Sequence, residues 1–193
     1  MLYFLGYYIV GSVLRVLYRI KIVGRGKLPP GAGVLCGNHT SMFDPIVAAL
    51  ALGLKDKPAF MAKKELFKSK FLSGLIRHLG AFPVDREKAD LTAIKTALGV
   101  LKNGKKLLVF PSGTRIKPDE AVASKNGAGM LASRAGVPLI PMYISRGRKV
   151  IINRIRIEFG EPYYFAEGKV SPEEYGKAVE SVMEAVAAME IKR

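Results

Sequence analysis

The chain is predicted to be an α/β protein: a mixed, largely parallel β-sheet flanked by helices, preceded by an N-terminal amphipathic helical element. Three observations predict it. Short apolar runs alternate with helical periodicity from Ile20 onward, the pattern of strands connected by crossover helices. Helix-capping signals fall between those runs. Hydrophobic residues make up 49% of the 193 residues, enough to bury a core and to exclude wholesale disorder.

The elements follow in order. Ile20–Val23 and Gly33–Gly37 read as strands, and Phe43–Leu54 as a helix opened by Asp44 and Pro45 in its first turn. Ala59–Ala62 reads as a strand. Leu66–Leu79 reads as a helix, with Leu66, Phe67, Phe71, Leu75 and Leu79 near one face. Ala81–Val84 is a short strand. Asp90 caps a helix carrying Leu91, Ile94, Leu98 and Leu101, which Asn103-Gly104 stops. Lys106–Phe110 reads as a buried strand, Gly127–Ala135 as a helix, and Val137–Ile144 and Ile155–Phe159 as strands. Ser171-Pro172-Glu173-Glu174 supplies an N-cap, a first-turn proline and a capping-box glutamate. The helix it opens holds Tyr175, Val179, Val182, Val186 and Met189 in one stripe.

The boundary worth naming lies near Lys27-Leu28-Pro29-Pro30-Gly31, dividing an N-terminal element (residues 1–27) from the α/β body (residues 28–193). Met1–Leu14 carries no charge and is followed by Arg15, Arg19, Lys21, Arg25 and Lys27. A spanning helix needs about 20 apolar residues, and a secretory signal places its positive charge before the apolar run. Apolar and aromatic first, basic second, suits a helix lying in a membrane interface. A core helix packed on the domain is the alternative. The single cysteine, Cys36, excludes an internal disulfide and fits a reduced, intracellular protein.

Net charge is +15, with 31 basic and 16 acidic residues. Such an excess attracts an anionic partner. Basic clusters occupy the N-terminal element, Lys55–Arg77 and Arg146–Arg156. A nucleic-acid-binding module would interleave basic residues with exposed aromatics or carry a recognition motif. Neither is evident, so an anionic membrane surface is expected and nucleic acid is not.

His39 leaves the end of the Gly33–Gly37 strand, and Asp44 enters the first turn of the next helix. A tight turn between them would bring the carboxylate to one imidazole nitrogen and leave the other as a base. An alcohol attacking a thioester needs that arrangement, because its proton must leave as it attacks. A satisfied surface histidine beside a helix-capping aspartate is the competing reading. Ser41 is a possible nucleophile or a capping hydroxyl, and Cys36 reads as core.

The wider sequence resembles the lysophosphatidic acid and glycerol-3-phosphate acyltransferase family, defined by an N-H-x-x-x-x-D block. Four blocks match in order between Asn38 and Met142: Asn38-His39 to Asp44 with Pro45; Gly80-Ala81-Phe82-Pro83-Val84-Asp85-Arg86; Phe110-Pro111-Ser112-Gly113-Thr114-Arg115; and Val137-Pro138-Leu139-Ile140-Pro141-Met142. The resemblance implies His39 as general base and Asp44 as its orienting partner. It implies acceptor-phosphate binding by Arg86 and Arg115, where guanidinium forks suit phosphate oxygens. Gly113 and Thr114 would add backbone donors. Lys125, in a Lys125-Asn126-Gly127 turn, is a further candidate cation near the phosphate; Lys105 and Lys106 either raise the local potential or are solvated surface lysines. The fourth block would shape the acyl-donor side; a buried strand bounded by prolines is the alternative.

Family members carry glutamate where this chain has Ser112. A tolerated variant, a substitution that lowers activity or aids crystallisation, and a changed acceptor all stay open. The resemblance implies acyl transfer from acyl-carrier protein or coenzyme A thioester to the 2-hydroxyl of 1-acylglycerol 3-phosphate, with no cofactor or metal. Glycerol 3-phosphate or another lysolipid is the alternative acceptor, and an inactive membrane scaffold the alternative outside enzymes. The expected location is peripheral or monotopic, on the cytoplasmic face of the cell membrane.

Overall fold

A computed structural model of the chain describes residues 18–41, 43–53, 56, 58–85, 90–111, 118–145, 153–166 and 168–191. Seven strands form one sheet: β1 (Tyr18–Val23), β2 (Gly33–Gly37), β3 (Ala59–Lys63), β4 (Ala81–Val84), β5 (Lys106–Val109), β6 (Leu139–Ile144) and β7 (Asn153–Phe159). Their order across the sheet is β1-β7-β6-β2-β5-β3-β4. The five strands from β6 to β4 run parallel. β7 pairs antiparallel with β6, and β1 pairs parallel with β7. The sheet is therefore mixed and largely parallel, as expected. It begins at Tyr18, ahead of the proline-rich stretch at Leu28.

Five helices cover the sheet: α1 (Asp44–Leu52), α2 (Lys70–His78), α3 (Leu91–Lys102), α4 (Pro118–Ala135) and α5 (Pro172–Ile191). The central strands are buried on both faces, so alternate residues feed two cores. Leu35, Leu108, Ile140 and Met142 meet Val47, Ala48, Ala51 and Leu52 of α1 and Leu79 beyond α2. Val34, Cys36, Leu107 and Leu139 meet Ala93, Ala97 and Leu101 of α3, Leu131 and Ala132 of α4, and Val179 and Val182 of α5. This makes three layers: α1 and α2, the sheet, then α3, α4 and α5. Among the described residues no helix is long and apolar enough to cross a membrane.

The capping signals act as read. Asp90 Oδ1 accepts the Ala93 N–H at 2.9 Å. Ser171 and Glu174 exchange the two bonds of a capping box at 3.2 and 2.6 Å. Three expectations need correction. The Leu66–Leu79 segment is a 3-10 turn (Lys64–Phe67) followed by α2. Of its apolar stripe only Phe67 and Leu79 pack inward; Leu66, Phe71 and Leu75 are exposed. Helical periodicity reports an apolar face without naming what covers it. The Lys125-Asn126-Gly127 turn lies inside α4, which starts nine residues before Gly127; Pro118 in its first turn was the missed start signal. Lys106 is neither solvated nor near the histidine. It begins β5, is only 5% exposed, and donates to the Pro29 and Gly31 carbonyls at 3.1 and 2.8 Å. That is the opposite end of the strands from His39. The N-terminal helical element expected before Arg15 lies outside the described residues.

Candidate active site

β2 is the point where the chain changes direction across the sheet. The connection after β2 runs through α1 on one face, and the connection after its neighbour β5 runs through α4 on the other. Connections that part in this way open a crevice beyond the carboxyl ends of the two strands. His39 follows β2 and Phe110 follows β5, and their rings stack there at 4.3 Å with 19° between planes.

The turn is built on Asn38. Its Oδ1 accepts the Ile144 N–H at 2.7 Å and its Nδ2 donates to the Ile144 carbonyl at 2.8 Å. A side-chain amide thereby continues the β2–β6 ladder one step past the Gly37–Met142 pair, which frees the backbone to turn. Gly37 permits the tight seam below: a Cβ there would lie 2.9 Å from Met142 Cε and 3.4 Å from the Phe110 ring.

Asp44 is the first residue of α1 and only 3% exposed. Its Oδ2 receives the Thr40 N–H at 2.6 Å and the Ser41 N–H at 2.7 Å, and contacts His39 Nδ1 at 3.0 Å. A buried carboxylate must be compensated. Here three N–H groups and the amino end of α1 do it. An oxygen that already accepts two backbone hydrogens acts as acceptor toward the ring too, so Nδ1 carries the hydrogen. In a neutral ring Nε2 then holds the lone pair. Ser41 Oγ accepts the Phe43 N–H at 3.2 Å, a local turn ahead of α1, whose N-cap is Phe43 with no side-chain cap bond. Cys36 is wholly buried on the opposite face, and burial pushes its thiol up to about 12. A thiol so placed is a poor nucleophile.

His39 and Asp44 are thus brought together. Arg86, Ser112, Gly113, Thr114 and Arg115 lie outside the described residues, and Lys125 falls within α4. The strands leading to the two arginine loops, β4 and β5, end on the same sheet edge as β2. Both margins of the first loop are held. Asp85 pairs with Lys64 at 2.8 Å, and its backbone N–H donates to Asp90 Oδ2 at 2.9 Å. Asp90 therefore closes the loop and caps α3 together. Sequence reasoning gave no such role to Asn38 or Phe110, and gave Asp90 the cap but not the loop closure. Asn38 and Phe110 stood in plain view as members of the first and third blocks.

Residues 19–145 match the acyltransferase family model. The 1-acyl-sn-glycerol-3-phosphate acyltransferase of Bacillus subtilis is 33% identical over 153 residues, covering 77% of this chain and 75% of that protein. The enzyme of the same name from Streptococcus pneumoniae is 38% identical over 134 residues, covering 67% of this chain and 49% of its own length. Among solved structures, PlsC, the 1-acyl-sn-glycerophosphate acyltransferase of Thermotoga maritima, is similar with a TM-score of 0.64 at 28% identity. That likeness covers 88% of this chain and 71% of the other.

Proposed function

The chain belongs to the acyltransferase family, and on that premise we propose that it transfers a fatty acyl group from a thioester to the 2-hydroxyl of a 1-acylglycerol 3-phosphate, with His39 as general base. The observation that carries the reading is the 3.0 Å contact from His39 Nδ1 to a buried Asp44 oxygen already held by two backbone N–H groups. The names of the relatives supply the acceptor.

The proton accounting is simple. Nε2 takes the hydrogen of the acceptor hydroxyl as its oxygen attacks the thioester carbonyl. The imidazolium that forms keeps its Nδ1–H on Asp44, whose charge offsets it. Collapse of the tetrahedral intermediate breaks the carbon–sulfur bond, and the departing thiolate recovers the proton from Nε2. Ester and free thiol result, and the ring is neutral again. No protein nucleophile is required.

Arg86 and Arg115, with the Gly113 and Thr114 backbone and Lys125, would hold the acceptor phosphate. Anchoring the phosphate presents the hydroxyl to the base at high effective concentration. The donor is acyl-carrier protein or coenzyme A thioester, both anionic and both suited to a chain of net charge +15. The enzyme works as a peripheral protein on the cytoplasmic face of an anionic membrane.

The test is the purified protein assayed with lysophosphatidate and with glycerol 3-phosphate, each thioester donor offered separately. Phosphatidate formation is expected. His39→Ala should lower the rate by about 10²–10⁴-fold, the usual worth of a positioned base. A variant within tenfold of the parent would reject His39 in that role.

A further inference from the structure

α2 presents an apolar stripe that nothing in the described fold covers. Ser69 caps it, accepting the Leu72 N–H. Ile76 packs against the core, as does Phe67 of the preceding 3-10 turn, and Leu79 is buried. Phe71 and Leu75, one helical turn apart, sit about 100° round the helix from Leu72 and Ile76 and are 86% and 43% exposed. Leu66 on the 3-10 turn is exposed to the same degree as Leu75. Along this segment run Lys63, Lys64, Lys68, Lys70 and Arg77, with Glu65 near Lys63 and Asp85 on Lys64 against them, which leaves a basic excess. Apolar residues within a basic rim have the composition of a segment that lies in an anionic lipid interface.

We propose that α2 and its 3-10 turn dock this protein on an anionic bilayer, with Phe71 and Leu75 entering the headgroup–acyl boundary and Lys68 and Lys70 meeting lipid phosphates. Charge complementarity selects lipid over the other occupants. The far layer of the molecule carries α5, with Glu173, Glu174, Glu180, Glu184 and Glu190 against Lys177. An anionic plane therefore attracts the α2 layer and repels the α5 layer, which orients the whole domain. Two or three separate apolar side chains are too small a patch for a stable protein interface. A bilayer accepts them singly.

The orientation matters for the site. α1 and α2 share one layer, and both begin at the carboxyl ends of the parallel strands. Phe43, 55% exposed, stands at the start of α1 directly before Asp44. Docking through α2 would lay the layer of α1 and α2 on the bilayer and so bring the His39–Asp44 end of that layer beside the surface that contains a lysolipid acceptor. That consequence rests on the proposed function; the docking itself does not.

The chain has no tryptophan, so F71W gives one reporter. With vesicles of phosphatidylcholine and phosphatidylglycerol carrying brominated chains, its emission should shift to the blue and be quenched. L91W, on exposed Leu91 of α3 beyond the sheet, should stay unquenched. Four results overturn the proposal: no co-sedimentation with the vesicles, bound protein in which the F71W indole escapes quenching, a blue shift that grows with protein concentration without lipid, which marks a second copy, or one already present in dilute lipid-free protein, which marks cover by the chain itself.

The double variant F71S/L75S should bind vesicles at least about tenfold more weakly, because two apolar side chains are withdrawn from the boundary. It should lose activity on vesicle-borne lysophosphatidate but keep it on a monomeric short-chain acceptor. Loss on both acceptors would assign the stripe to the fold and overturn the proposal. A parent protein inactive on both would sink the acyltransferase reading instead, and the quenching result would still decide the docking.

Discussion

Asn38 does for the active-site turn what no backbone group there can. Its amide supplies one acceptor and one donor to Ile144, 106 positions away in sequence, and His39 is the next residue. Asn38→Ala leaves both Ile144 groups without their partner, at about 1–3 kcal/mol. Asn38→Asp can still accept the N–H, but its second oxygen then confronts the Ile144 carbonyl, so it should be no better. Both variants should also lower kcat by roughly 10–100-fold, because an ångström of misplacement at the proposed base, His39, is costly. Urea denaturation and steady-state rates check the two effects separately, and unchanged rates in a destabilised variant would confine Asn38 to the fold. The partner explains why the sequence hid the role. A pair five residues apart, His39 and Asp44, could be read from spacing; a bond to a distant strand could not. Ser112 presents the opposite case, a departure obvious in the sequence. Ser112→Glu should raise kcat/KM for lysophosphatidate by roughly tenfold or more, the worth of one charge-assisted hydrogen bond of about 1.5–3 kcal/mol. An unchanged value would make the serine a neutral replacement.

At the scale of elements, signals that a helix makes within itself were legible, and those depending on other parts of the chain were not. The capping box of α5 and the Asp90 cap of α3 involve residues three apart, so the sequence contains both partners. The first half of α4 is polar and lacks a stripe, so periodicity missed it. The stripe of α2 was visible, yet its exposure depends on whether another element lies over it. Asp90 shows how an element's start also serves a site. The Asp85 N–H bonded to its carboxylate holds its pKa below the ordinary 3.8, and the Ala93 N–H adds to this. A carboxyl depressed in the folded state contributes stability that is complete above that ordinary value and drains away as pH falls through the lower, folded one. Asp90→Ala should therefore lower the thermal midpoint at neutral pH, with the gap from the parent closing in the most acidic buffers. It should also raise KM for the phosphate-bearing acceptor more than it lowers kcat, because the loop it closes carries Arg86, the proposed phosphate anchor. A gap in midpoint that persists unchanged into strong acid would show that the carboxylate's charge is not what stabilises this turn.

At the scale of the molecule, alternation of strands and helices gave the class, but neither the strand order nor the reversal of β7 could be read. Pairing joins segments far apart in sequence, and local pattern carries no record of which neighbours they choose. One consequence concerns where an N-terminal element can be cut. The proline-rich stretch at Leu28 invites removal of Met1–Lys27 as a unit. Yet Tyr18–Val23 is the edge strand β1, in register with β7 from Asn153 to Glu158. Ile20 and Ile22 pack on the core beneath α1, and Arg25 Nη2 donates to the Leu52 carbonyl that ends α1. Gly24 adopts φ +71° with its Cα against the Phe159 carbonyl, where a Cβ would lie at 2.3 Å. Deleting residues 1–27 should thus lower the urea midpoint as well as membrane binding, since it removes Ile20 and Ile22, both partly buried against the core and each worth at most about 1.5–3 kcal/mol. A cut before Tyr18 keeps the sheet complete and should leave the midpoint within error of the full chain, while vesicle binding falls but persists through α2. Measured side by side, the two truncations separate anchoring from folding: equal midpoints would show that β1 is dispensable, and complete loss of binding in the shorter cut would leave α2 without a share in it.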